Sequence, residues 1–413
     1  MSTIHWTTGD TRQSARWHSE SAAPLPQQIV LADDRMKADD AYRLAREGTA
    51  LLWQGDFHNA RHLLQAMGRR LDRTRPRSGT SPSESFHLHR RHRSHRARVL
   101  GKLLVLLDDD YRLALRRAPD VRQACREAYG PPQGPTAVSL RELLGVIGAH
   151  QWRMKGVDVP ALGARIHPHY GVFAPVRGEY VDLVARAPLP PAVQRTPETS
   201  TAFETSTAFD LGTGTGVLAA VLARRGINRV VATDISPRAL ACARDNAHRL
   251  ALADRIEVSG PGLFPEGRAD LIVCNPPWLP ARPTSAIEQG VYDPDSSMLH
   301  GFLTGLSAHL RPGGEGWLIL SDLAEHLGLR TRRQLLDAIR AADLRVVERI
   351  DTKPRHPRTR DANDPLHTAR SAETTSLWRL TAQPSPGMLT PQMRREVPAF
   401  TRITSRILLH PVK

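Results

Sequence analysis

Apolar and polar positions follow two different periods along this chain, and the change of period divides it. Between Asp40 and Arg73, Leu44, Leu51, Leu52, Leu63, Leu64 and Met67 fall at helical spacings, and Gly55-Asp56 interrupts them. That pattern predicts a helical hairpin. A further helix is expected from about Arg98 to Arg117. Another is expected near Ser139, where Ser139 and Glu142 have capping-box spacing ahead of an apolar stretch. The hairpin faintly resembles a tetratricopeptide unit, but no second copy follows, which argues against a repeat array. Residues 1–34 are polar, with Pro24 and Pro26, and are expected to be disordered. The reading for the first part is a helical substrate-docking domain over 35–155, containing a basic loop at 69–98.

From Ala208 onward, short apolar strands alternate with helices. The expected order is strand Ala208–Leu211, helix Gly216–Arg225, strand Arg229–Thr233, helix Pro237–Leu250, strand Asp270–Cys274, strand Trp317–Ser321, helix Thr331–Ala341 and strand Arg345–Asp351. This is the signature of an α/β, doubly wound parallel sheet. Ser376–Leu380 is expected to return as an antiparallel edge strand. A linker rich in Pro, Thr and Ser, 186–209, joins the two parts. It holds a tandem duplication, Thr199–Glu204 followed by Thr205–Asp210, which reads as slippage in a tolerant loop.

Composition narrows the class. The chain has 413 residues, 40% hydrophobic and 24% charged, which suggests two or three domains. Its longest apolar stretch, Val99–Leu107, contains Lys102 and falls far short of the roughly 18 residues that span a bilayer. The first ten residues do not read as a secretory signal. Cys125, Cys242 and Cys274 are odd in number and far apart, which fits neither a disulfide scaffold nor a zinc cluster. No metal site is expected: Asp108, Asp109 and Asp110 read as a solvated face. A cytoplasmic, reducing setting is expected.

The net charge of +15 is unevenly placed. Residues 1–165 carry 27 Lys and Arg against 17 Asp and Glu, residues 166–383 carry 25 against 24, and residues 384–413 carry 5 against 1. The densest patch, Arg69–Arg98, holds ten arginines and four histidines with only Asp72 and Glu84. Such a patch attracts phosphate backbones through counterion release. It reads equally as a solvated segment. The basic tail at 384–413 has the same character.

Three motifs carry chemistry. In Phe209-Asp210-Leu211-Gly212-Thr213-Gly214-Thr215-Gly216, a strand ends in glycines that open a helix. Glycines there let backbone approach a ligand, and the helix start offers free N–H groups. In Val230-Val231-Ala232-Thr233-Asp234, an acid ends the next strand, where it can accept both ribose hydroxyls of an adenosine. These two fit a nicotinamide cofactor or S-adenosylmethionine. The third, Asp270-Leu271-Ile272-Val273-Cys274-Asn275-Pro276-Pro277-Trp278, decides for the latter. An amide or exocyclic NH₂ is a poor nucleophile, because its lone pair is delocalised. Asn275 Oδ1 can accept one N–H and the Pro276 carbonyl the other, favouring a pyramidal nitrogen and its developing charge. The prolines stiffen that geometry, and Trp278 offers a flat face.

With these residues the sequence resembles the class I S-adenosylmethionine-dependent methyltransferases of the Asn-Pro-Pro-aromatic type, including the HemK/PrmC and methyltransferase small domain families. The resemblance covers roughly His167–Leu380. It implies a Rossmann-like, seven-stranded methyltransferase domain over 166–383 with S-adenosyl-L-methionine as cofactor. It implies catalytic roles for Asn275, Pro276, Pro277 and Trp278. It implies cofactor contacts from Asp210, Gly212, Thr213, Gly214, Gly216, Asp234, Ile235, Leu263, Phe264 and Asn275, with Phe173 and Pro175 as a lid. The loop Ser259–Phe264 lacks the acid that often binds the adenine amine in relatives. The resemblance implies an acceptor that is a glutamine in a translation factor or ribosomal protein. A base amine in structured RNA, or an inactive fold acting as an RNA-binding protein, are the alternatives.

Overall fold

The computed structural model describes residues 2–73, 79–194, 205–283, 286–355, 361–362 and 364–383. The tail at 384–413, the first copy of the duplication and residues 74–78 of the basic patch lie outside the described residues.

The first domain departs from the all-helical expectation. Its elements are β1 (Thr3–Thr8), β2 (Thr11–Trp17), β3 (Ile29–Ala32), α1 (Ala38–Glu47), β4 (Ala50–Trp53), α2 (Phe57–Asp72), α3 (Pro82–Leu100), β5 (Leu103–Leu107), α4 (Arg122–Tyr129), β6 (Thr136–Ser139) and α5 (Leu140–Lys155). The strands form one six-stranded mixed sheet in the order β1-β2-β6-β5-β4-β3. Residues 1–34, expected to be disordered, supply three of those strands. The error has a physical cause. Leu51-Leu52 and Leu103–Leu107 are short, continuous apolar stretches that the structure buries in the middle of the sheet. Periodicity alone does not separate such a strand from a buried helix. In β1 the signal was a plain alternation, with Ile4 and Trp6 buried between exposed polar residues. The helix expected over Arg98–Arg117 is in fact the end of α3 followed by β5. The helix expected at Ser139 exists as α5, but not through a capping box: Ser139 makes no side-chain cap, and Glu142 Oε2 instead accepts the Glu20 N–H at 3.0 Å.

The basic patch is not a loop either. α3 starts at Ser81, whose hydroxyl accepts the Glu84 N–H at 3.1 Å. Its Phe86, 1% exposed, enters an apolar socket made by Leu279, Leu323, Leu327 and Leu366 of the second domain. Arg90 lies 3.8 Å from the centre of the Tyr292 ring, and Arg90 and Arg93 both approach Glu288 at 3.9 Å. Burying Phe86 contributes about 1.5–3 kcal/mol. Each partly exposed ion pair adds about 0–1 kcal/mol. The apolar plug, not the charge, holds this junction. A second junction pairs Arg238 with Glu20.

A short antiparallel pair, β7 (Val157–Val159) and β8 (Ala164–Ile166), and α6 (Glu179–Arg186) lead into the second domain. There follow β9 (Thr207–Leu211), α7 (Val217–Arg224), β10 (Arg229–Thr233), α8 (Pro237–Arg249), β11 (Ile256–Ser259), β12 (Ala269–Cys274), α9 (Ser297–His309), β13 (Leu310–Ser321), α10 (Leu323–His326), α11 (Arg332–Ala341), β14 (Leu344–Thr352), α12 (His367–Ala372) and β15 (Thr375–Ala382). The seven-stranded sheet runs β11-β10-β9-β12-β13-β15-β14. β15 is antiparallel, as expected, but it lies between β13 and β14 and is not at the edge. One apolar layer packs α6 and α7 on the sheet, and another packs α9 and α11 on its opposite face. The strand order reverses beside β9, so a crevice opens at the carboxyl ends of β9, β10 and β12.

Candidate active site

Strand register brings the three motifs together. Thr233 of β10 pairs with Leu211 of β9, and Cys274 of β12 pairs with the same Leu211 from the other side. Asp234 and Asn275 therefore flank the glycine turn that starts at Gly212. Gly212 has φ +68°, and a Cβ there would collide with the Met298 side chain. The positive φ favours glycine, and any side chain there would push the end of Met298 aside.

Asp210 fixes the turn from beneath. Its Oδ2 accepts the Thr213 hydroxyl at 2.6 Å and the Ala219 N–H at 3.0 Å. The carboxyl is fully buried, and burial pushes it up to about 6 from an ordinary 3.8. The native state thus binds this proton more tightly than the unfolded chain does. The stability it contributes is full below about pH 3.8. It is lost as pH rises through about 6, by an amount on the order of 3 kcal/mol. Asp210→Asn is expected to flatten the fall in Tm between about pH 4 and pH 6. Equal falls in variant and wild type would place the titration on another group.

Asp234 does two jobs at the crevice. Its Oδ2 accepts the Gly214 N–H at 3.0 Å and its Oδ1 the Ser236 N–H at 2.9 Å. Burial raises its pKa, and these backbone donors partly oppose the rise. A carboxylate has about four acceptor positions, and the Gly214, Ser236 and Ile235 N–H groups take up to three, so at least one remains for a ligand.

A cavity of about 550 Å³ lies over these groups. Gly212, Thr213, Gly214, Asp234, Ile235, Leu263, Asn275 and Pro277 line it, with Phe173 on the expected lid side. The other candidates do not. Asp210 and Gly216 sit behind the turn. Pro175 and Pro276 are buried outside the cavity wall. Phe264 turns away and stacks on His309, with ring centres 4.2 Å apart. Trp278 is also absent from the wall. It packs against both apolar layers of the sheet, and its indole N–H donates to Asn275 Oδ1 at 2.9 Å. The flat face expected of Trp278 is therefore not presented to the cavity.

The opposite wall went unread in the sequence: Gln289, Gly290, Tyr292, Asp293, Pro294, Ser297 and Met298. Asp293, 6% exposed, accepts the Ser297 hydroxyl at 2.7 Å and the Met298 N–H at 2.8 Å, fixing the start of α9. The cluster Asp293-Pro294-Asp295-Ser296 was a readable helix-start signal. Asp295 and Ser296 both have positive φ, 57° and 52°. Such strain persists where surrounding contacts impose it, and it gathers at functional sites.

A glycine turn, a wall carboxylate with free acceptor positions, the exposed apolar Ile235 and Leu263 opposite make a cradle that fits S-adenosylmethionine. Comparison agrees with that class. Residues 193–340 match the methyltransferase small domain family. A release factor glutamine methyltransferase of Cereibacter sphaeroides is 36% identical over 160 residues, 35% of this chain and 56% of that protein. A ribosomal protein L11 methyltransferase of Vibrio vulnificus is 38% identical over 88 residues, 21% of this chain and 30% of that protein. The chain thus spans about half the length of the first relative and less of the second. The solved ribosomal protein L11 methylase of Lactobacillus delbrueckii subsp. bulgaricus aligns at 18% identity, covering 50% of this chain and 80% of that one, with a TM-score of 0.32.

The second domain thus contains a segment that matches a family of methyltransferase domains. More particularly, residues 193–340 match the methyltransferase small domain and are similar to release factor glutamine methyltransferases. Among the described residues, no helix is long and apolar enough to cross a membrane, and no group of His, Cys, Asp and Glu is arranged to hold a metal.

Proposed function

We propose that this protein N-methylates a planar nitrogen, and that the nitrogen is the side-chain carboxamide of a glutamine in a translation protein. One observation carries the reading: Asn275 lines the cavity, next in register to the glycine turn and across it from Asp234. The cofactor supplies an electrophilic methyl group on a sulfonium. Asp234, the turn and Leu263 would hold it. Asn275 would accept an N–H of the acceptor, orienting its lone pair and stabilising the positive charge as it develops. No strong base is needed, because the proton becomes acidic once the nitrogen is alkylated. Alignment of the two reactants supplies most of the rate. The relatives that methylate release factors and ribosomal protein L11 support a protein acceptor. The sheet-bearing first domain gives that reading no help, since the HemK/PrmC resemblance implied a helical one.

The test is tritiated methyl transfer from S-adenosylmethionine into purified release factor, ribosomal protein L11 and protein-free ribosomal RNA. Label recovered as methylglutamine supports the proposal. Label confined to RNA overturns it in favour of a base amine.

That second reading has one observation of its own: Arg91, Arg93 and Arg98 are exposed on α3, beside the wall loop that Arg90 braces. Replacing Arg91 and Arg98 by glutamine should lower the salt slope of RNA binding by about 2 and leave kcat unchanged. An unchanged slope would mean that these arginines are merely solvated.

A further inference from the structure

We propose that Trp278 is a positioning residue, one that locks the Asn275 carboxamide with its oxygen available to the acceptor nitrogen. The inference rests on the methyl-transfer reading above and adds a part to that machinery. An asparagine carboxamide presents an oxygen and an NH₂ of nearly equal size, and rotation about its last torsion exchanges them. Methyl transfer needs the oxygen, because an NH₂ aimed at an N–H donor repels it. An indole N–H is a donor and never an acceptor, so it can bond only the oxygen. The 2.9 Å bond from Trp278 Nε1 to Asn275 Oδ1 therefore selects one of the two orientations. It uses one of that oxygen's two lone pairs and leaves the other for an incoming N–H.

The lock is itself held. The Trp278 ring is half-buried and packs against the apolar layers on both faces of the sheet. The Arg177 guanidinium stands 5.7 Å from its centre. Arg177 Nη1 bonds Glu373 Oε1 at 3.0 Å, and the same oxygen accepts the Ser321 hydroxyl at 2.7 Å. Glu373 is completely buried. A chain of fixed groups thus runs from the end of β13 through Arg177 and Trp278 to the acceptor-facing oxygen, with the rigidity that site geometry demands. It also accounts for the indole's place outside the cavity wall: its part is played through Asn275, not against the acceptor.

The experiment removes the N–H and little else. An amino acid with sulfur in place of the indole nitrogen, inserted at position 278 alone, keeps the shape and the Arg177 contact. Trp278→Phe is the simpler companion. Transfer is followed into whichever purified acceptor the wild type labels. Both variants should lose about tenfold in kcat, with the acceptor KM and the S-adenosylmethionine Kd changed by less than about twofold. The sulfur isostere should also keep the wild-type Tm. Full kcat in the isostere overturns the proposal, even if Trp278→Phe fails to fold. A separate readout needs no acceptor: the ¹⁵N–¹H resonance of the Trp278 indole should move upfield in Asn275→Ala. If the wild type labels nothing, the functional reading fails and this resonance still tests the lock. If it stays put, the contact is absent and the proposal falls, whatever the acceptor.

Discussion

Asn275→Ala is expected to lower methyl transfer by about 10²–10³-fold, the loss typical of removing one preorganised group from the site of developing charge. The Kd for S-adenosylmethionine should stay within about twofold of wild type, because the turn, Asp234 and Leu263 are untouched. The alanine also leaves the Trp278 N–H without its partner, which adds a small stability cost of about 1–3 kcal/mol where that group is shielded from water. Initial rates and calorimetric titration of cofactor separate the two effects. Normal turnover in Asn275→Ala would refute the nitrogen-positioning mechanism outright, and an equal loss of cofactor binding would make Asn275 a cofactor ligand instead.

Asp234→Ala should do the reverse. The carboxylate holds the Gly214 and Ser236 N–H groups and keeps acceptor positions facing the cavity. Losing a charged hydrogen-bond partner costs about 1.5–3 kcal/mol, so cofactor Kd should rise about 10- to 10²-fold. At saturating cofactor, kcat should recover most of its wild-type value. The pH dependence has a definite sign. Burial raises the Asp234 pKa, so the carboxylate is protonated at a higher pH than an exposed one. Wild-type affinity should therefore weaken as pH falls through that elevated value, while the alanine variant shows no such step. A variant that binds cofactor normally would move the ribose contact to another residue.

The two domains were not equally legible, and the reason is locality. In the second domain β9, β10 and β12 each run into their own loop and helix, so Asp210 with its glycines, Asp234, and Asn275 with its prolines were each readable within a dozen residues. Parallel pairing of neighbouring βα units then brought them together. In the first domain the deciding contacts are remote. Arg16 of β2 pairs with Thr136 of β6, and nothing within either segment announces the other. Leu51 and Leu52 satisfied a helical template because a buried strand of four residues carries no period of its own. Side-chain direction was the other blind spot. Trp278, Phe264 and Pro276 sit on the expected elements, but packing turns them away from the cavity. Spacing along a chain does not encode a rotamer.

The Phe86 plug bears on whether these two domains can be exchanged like cassettes. Cut free, the second domain would expose the leucines of the socket, Leu279, Leu323, Leu327 and Leu366, as a sticky surface patch. Its Tyr292 wall would lose the arginine that braces it. A first domain borrowed from a relative would have to bring its own aromatic plug and its own brace, at the same depth and one helical turn apart. Without both, the graft would inherit the glycine turn and lose the shape of the Tyr292 wall of the cavity. The two domains of this molecule are thus bound to travel together.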